Sequence, residues 1–193
     1  MASEIIVQTL KGPTSGANAN KVIVPSGQTL DINTWSPPAG TVLQVVSVSK
    51  TDEVSHNTTS YASFGLDGSI TPSSTSSKIL VIVSVNCISC SNGSGVLIRT
   101  RRGSTDLIVN TTSGATNSNT GWFTGGGQIY TGQNRQRDSA TITVLDSPST
   151  TDQITYACQF KVVDSGATAY INRMALAADT GSVSTMTLME IAG

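Results

Sequence analysis

Residues 79–85 read Ile-Leu-Val-Ile-Val-Ser-Val, five aliphatics in succession and a sixth after Ser84, in a chain otherwise crowded with serine and threonine. Most of its residues are β-branched, which stiffens χ1 and favours a strand over a helix. Turn chemistry bounds it on both sides. Thr71-Pro72-Ser73-Ser74-Thr75-Ser76-Ser77 precedes it and Ser91-Asn92-Gly93-Ser94-Gly95 follows it, and neither continues a helix cheaply. An apolar run of this length between turns predicts a strand buried on both faces, at the centre of a packed β-structure.

Composition agrees. The 193 residues include 18 glycines and many Ser, Thr and Val, with 12% charged and 5% aromatic residues and a net charge of -1. There is no basic excess to displace counterions from phosphates, so a nucleic-acid partner is not expected. Low charge accompanied by many aliphatics also argues against disorder. No apolar stretch approaches the roughly 20 residues that cross a bilayer, so membrane insertion is not expected. Three cysteines, with no basic-then-apolar leader at Met1-Ala2-Ser3-Glu4-Ile5-Ile6-Val7, predict reduced thiols in a protein made in a cytosol.

Two regions are expected. Residues 1–40 hold short apolar runs, Glu4-Ile5-Ile6-Val7 and Lys21-Val22-Ile23-Val24, separated by Gly/Pro/Asn-rich turns and closed by Trp35-Ser36-Pro37-Pro38-Ala39-Gly40. Strands this short bury no face alone. They either pack on the main domain or need copies from neighbouring chains. Residues 41–193 read as about nine strands with no convincing helix, hence an all-β, two-sheet sandwich. Expected strands begin with 41–48, where both faces carry valine or leucine, and 61–66, with Ala62, Phe64 and Leu66 on one face; a polar turn is expected at 52–57. Beyond the central run come 96–102, 107–109 and 139–145, the last with Ala140, Ile142 and Val144 on one side. The cleanest alternation lies in 154–162, where Ile154, Tyr156, Cys158, Phe160 and Val162 share a face. Residues 167–172 and 184–191 close the set.

No catalytic set is visible, and no cofactor or metal is expected. Cys87-Ile88-Ser89-Cys90 lacks a second ligand pair for zinc, since Cys158 stands alone and His56 is the single histidine. In extended geometry Cys87 and Cys90 point to opposite faces, so structural thiols are expected. His56, in the polar turn, has no nucleophile elbow to serve. Gly125-Gly126-Gly127 lacks the Lys-Ser/Thr of a phosphate loop. Arg99 with Arg101, and Arg135 with Arg137, each share a strand face; a solvated face or subunit contact is favoured over an anion or acidic-glycan contact. The stretch 110–137 is long, glycine-rich and polar, as functional loops often are. Its Trp122, Phe123 and Tyr130 either stack on sugar rings or fold under the loop, and with Arg135 and Arg137 they form the candidate ligand contacts.

The residues also carry a resemblance. Lys11-Gly12-Pro13-Thr14-Ser15-Gly16-Ala17-Asn18-Ala19-Asn20-Lys21 with Val24-Pro25-Ser26-Gly27-Gln28-Thr29-Leu30-Asp31 resembles the N-terminal segments of marine and cyanobacterial phage fibre proteins. Val42-Leu43-Gln44-Val45-Val46, Ile70-Thr71-Pro72-Ser73-Ser74, Ser77-Lys78-Ile79-Leu80-Val81, Leu145-Asp146-Ser147-Pro148, Ala169-Tyr170-Ile171-Asn172-Arg173 and Thr187-Leu188-Met189-Glu190-Ile191-Ala192-Gly193 resemble the C-terminal domain on such proteins. These are signatures of strands and turns and mark no active site; residues 110–137 match none of them.

The resemblance implies a virion protein made in a host cytoplasm: a stem or attachment segment at 1–40 and a head at 41–193, the head a jelly-roll-like sandwich of the complement C1q and tumour necrosis factor type. It implies a homotrimer, joined to other tail or capsid proteins through the N-terminal segment, whose head contacts a host glycan or protein without catalysis. The chain is short for a complete tail fibre, which keeps capsid decoration, or a head fibre, as the alternative. A secreted glycan-binding module or a hydrolase stands behind both.

Overall fold

The computed structural model describes residues 11–19, 21–29, 36–92, 94–107, 138–173 and 181–193. The chain divides into two compact units, Met1–Ser36 and Pro37–Gly193. In the first, turns are closed by Ala19 N–H donating to Gly16 O and Lys21 N–H donating to Asn18 O, both at 3.1 Å. The expected strand at 21–24 is not formed. Val22, Ile23 and Val24 are 53%, 57% and 38% exposed, with no ladder to satisfy their backbone groups among the described residues. The companion run at 4–7 lies outside the described residues.

The second unit is an all-β sandwich, with no helix among the described residues. Its strands are β1 (Val42–Lys50), β2 (Val54–His56), β3 (Ala62–Ile70), β4 (Lys78–Cys90), β5 (Val96–Arg102), β6 (Thr105–Asp106), β7 (Asp138–Asp146), β8 (Ile154–Val162), β9 (Ala169–Ile171) and β10 (Ser184–Ile191). One sheet runs β1-β10-β4-β7, with β9 and β2 continuing along the far end of β4, and the other runs β3-β8-β5-β6. All pairings are antiparallel, and they nest: β1 with β10, β3 with β8, β4 with β7, β5 with β6. The chain is thus a long hairpin folded at β5-β6 and rolled so that successive pairs alternate between sheets. That is the jelly-roll winding.

Alternation along the strands builds the core. Ile79, Val81, Val83 and Val85 of β4, Met186 and Leu188 of β10, and Tyr156, Cys158, Phe160 and Val162 of β8 are all fully buried between the sheets. The rings of Phe64 and Phe160 meet edge to face, with centroids 5.6 Å apart. Gly68 lets the sheets close, since a Cβ there would sit 3.2 Å from both Leu188 Cδ1 and Met186 Sδ. Three expectations change. The central run is covered on one face, not two: Leu80 and Ile82 point outward and remain partly exposed. The polar turn at 52–57 contains β2, which pairs with β9 across the far end. The strand expected at 107–109 begins earlier, as β6; Leu107 follows it and 108–109 lie outside the described residues.

Buried polar groups fasten both ends. At the end where the chain enters the sandwich, Gly40 N–H donates to Ala192 O at 2.8 Å. Beside it the fully buried Glu190 carboxylate accepts from Ser73 N–H and Ser73 Oγ at 2.7 Å and from Gln44 Nε2 at 2.6 Å, tying the 71–77 crossover to β10. Burial by itself raises the Glu190 pKa, but the bonds from Ser73 and Gln44 outweigh it and hold the carboxyl below its usual value. At the same end Arg102 Nε and Tyr156 OH both reach Asp146 Oδ2 at 2.7 Å, so an ion pair and a phenol link the two sheets. At the far end Asn172, 1% exposed and at φ 64°, uses every polar group it has. Its Nδ2 donates to Lys50 O at 2.9 Å and Asp52 O at 3.0 Å, its Oδ1 accepts from Ser184 Oγ at 2.7 Å, and its backbone bonds to Asn86 O and Ser182 N–H.

Asn172→Ala removes the donors to the Lys50 and Asp52 carbonyls and the acceptor of the Ser184 hydroxyl, and puts a Cβ residue without a side-chain donor in the left-handed region. Urea denaturation is expected to show a loss of about 3 kcal/mol; a loss under about 1 kcal/mol would remove this network from the account. Glu190 behaves as a carboxylate whose folded pKa is depressed, so its stabilisation is present above its unfolded pKa and disappears as pH falls through the folded value. Wild type is therefore expected to be more stable than Glu190→Gln at pH 7, with the gap closing as pH falls below about 4.5. A gap independent of pH would contradict the assignment.

Candidate recognition surfaces

The sandwich has two outer faces of different chemistry. On the β3-β8-β5-β6 sheet, the outward residues include Asp67, Lys161, Arg99 and Arg101, with Asp106 on the adjoining β6. The arginine pair expected on one face is there, but it is consumed internally. Arg99 Nε donates to Gln159 Oε1 at 2.8 Å and its guanidinium lies 4.1 Å over the Tyr61 ring; Asp106 stands 3.4 Å from Arg99 and 2.7 Å from Arg101. Arg101 also bonds to Ser104 O. Two cations sharing one carboxylate, with side chains 16% and 23% exposed, have little left to offer an anion. The favoured expectation, a solvated strand face or a subunit contact, is compatible with these ion pairs in either form.

On the β1-β10-β4-β7 sheet the outward side chains align in rows across all four strands. One row is Val45, Met189, Leu80 and Leu145; the next is Ser47, Thr187, Ile82 and Thr143; the third is Ser49, Thr185, Ser84 and Thr141. None carries a charge. Val45 and Leu145, at the two margins, are 55% and 52% exposed. Alternation alone would have placed these residues outward, but which strands are neighbours, and hence that they form rows, is long-range information.

The thiols are structural in position. Cys158 is fully buried beside Thr100 Oγ1 at 3.7 Å, and burial pushes its pKa up to about 12. Cys90 is pushed up to about 11, again by burial. Neither is a ready nucleophile near neutral pH. The extended geometry expected between Cys87 and Cys90 does not hold: the β4–β7 register shifts between Val85 and Ile88, and Cys87 sits at φ 49°. That bulge hands β4 from β10 to β9. None of the three cysteines forms a disulfide. His56 Nε2 lies 2.8 Å from Ser60 O and 2.9 Å from Thr58 Oγ1, and its ring packs 5.6 Å from that of Phe160, so it closes a turn. Among the described residues no group of acidic, histidine or cysteine side chains is arranged to hold a metal.

Trp122, Phe123, Tyr130, Arg135 and Arg137, with Gly125 to Gly127, lie outside the described residues. The strand that follows them is described: β7 starts at Asp138 opposite Ile88, the end of the sheet away from Gly40 and Ala192. At that far end Tyr170 faces outward from β9, with Arg173 stacked 4.7 Å from its ring centre and paired to Glu53 at 3.0 Å.

No protein-family model matches the chain, and no curated protein matches it. Among solved structures, the infectious bursal disease virus VP2 subviral particle aligns over 94% of this chain and 46% of its own, at 13% identity and a TM-score of 0.39. The chain spans just under half the length of that protein, and a likeness at this level assigns neither family nor activity.

Proposed function

We propose that this chain is a structural protein of a bacteriophage particle surface: a homotrimeric fibre or knob that adheres to a host surface and performs no catalysis. The observation that carries the reading is the polarity of the sandwich. The chain enters it at Gly40, bonded to Ala192, while β7, into which residues 110–137 lead, begins at Asp138 at the opposite end. Attachment at one end and recognition at the other is the arrangement an adhesin needs. The phage-fibre motifs quoted above supply the particle context. The exposed Val22, Ile23 and Val24 in the first unit support a segment completed by other virion proteins or by its own copies.

Adhesion predicts that purified protein competes with phage for host cells, and that Trp122→Ala or Phe123→Ala raises the concentration needed by about tenfold or more. Unchanged competition by both variants would remove these side chains from the contact. Copy number per particle tests the location: a few tens or fewer fits a fibre, and hundreds would replace this reading with decoration of the shell. Mass in solution tests the trimer, and a monomer at micromolar concentration would overturn it.

A further inference from the structure

The outer face of the β1-β10-β4-β7 sheet holds three successive rows without a charge, with Lys78 beyond them at the Gly40 end. Its margins are β1 and β7, each a nine-residue edge strand. Neither carries the usual protection against edge pairing, which is a proline, a central bulge or an inward-pointing charge in mid-strand. In β1 the only charged residue is Lys50, its last; in β7 the charges are Asp138 and Asp146, its first and last. Long, uncharged edges flanking an apolar row are an association surface.

The strand directions say what fits. β1 is antiparallel to β10, β10 to β4, and β4 to β7, so β1 and β7 run in opposite directions. Rotating a copy about an axis parallel to the strands keeps every direction and brings its β1 beside the β7 of the first copy. The two edges, unpaired among the described residues, then meet antiparallel, the better pairing. A closed ring has no translation along its axis, so residues on one row stay at one level. Val45 and Leu145 lie on the same row, at opposite margins, and are the two most exposed large apolar side chains of the second unit among the described residues.

We infer that a second copy of this chain covers this face, its β1 margin against the β7 margin of the first with Val45 of one beside Leu145 of the other, in a head-to-tail ring with the uncharged rows turned inward. The inference rests on the trimeric reading above and specifies its surface. Every copy then presents Gly40 at one end of the ring and the start of β7 at the other, which a two-fold axis across the strands would not allow. The other sheet, with its arginine and aspartate pairs, faces water. A contact without charges holds at high salt.

Paired cysteines test it on the whole protein. In the double variant Val45→Cys/Leu145→Cys, mild oxidation is expected to give a covalent trimer on a non-reducing gel. Val45→Cys or Leu145→Cys alone is expected to stay monomeric on the gel, and mixing the two single variants to give a dimer. The native thiols add little background, Cys90 and Cys158 being held protonated, and wild type is the control. Val45→Glu, an exposed position that leaves the core intact, is expected to raise the concentration at which the trimer dissociates by at least about tenfold. If wild type is a trimer but the double variant does not cross-link, or the single variants cross-link as well as the double, this face is wrong while the trimer stands. If wild type is a monomer by mass, both fall, and the face belongs to a different protein.

Discussion

The fold depends on the apolar row Ile79, Val81, Val83 and Val85 pressed against the opposite sheet. Burying four aliphatic side chains on one strand contributes on the order of 6–12 kcal/mol before entropy, more than any single polar contact in the molecule. β4 is also the strand with the most partners: β10 and then β9 along one margin, and β7 along the other. A slip of one residue in β4 would turn that row to solvent and expel every pairing at once. Its register therefore sets that of the sheet.

The polar contacts act where this apolar constraint ends. A jelly roll crosses between sheets at every loop, and each crossover leaves backbone groups near the core. Glu190 supplies acceptors for the 71–77 crossover, Asp146 ties Arg102 and Tyr156 from one sheet to the other, and Asn172 collects the carbonyls of Lys50 and Asp52. Glu190, Asp146 and Asn172 each meet several partners, so these groups specify one crossover geometry. The bulge at Cys87 belongs with them: it bends β4 so that one strand serves both β10 and the short β9–β2 pair.

The sandwich is asymmetric in the same sense along two directions. One outer face spends its charges on itself; the other has three rows without a charge, with Lys78 beyond them at one end of β4. One end receives the chain at Gly40, and the other collects β2, β9, Tyr170 and the start of β7.

The sequence by itself determined the local states. Period-2 alternation in 154–162 and 139–145, and the β-branched run at 79–85, were legible because side-chain direction in a strand depends only on parity. The tertiary structure decided what parity cannot reach. Leu80 and Ile82 read as core because an apolar run does not say how many sheets cover it, and a single sandwich covers one face. Residues 52–57 read as a turn, because β2 is held by pairing with β9 more than a hundred residues away and not by its own propensity. The arginines at 99 and 101 were visible on one face, but Asp106 and Gln159 as their partners were not. Nothing in the local sequence marks Glu190 or Asn172; only the crossovers brought their partners to them. The rows across β1, β10, β4 and β7 arise from strand order, which is set by how the long hairpin rolls up, a choice made by the packing of the whole core.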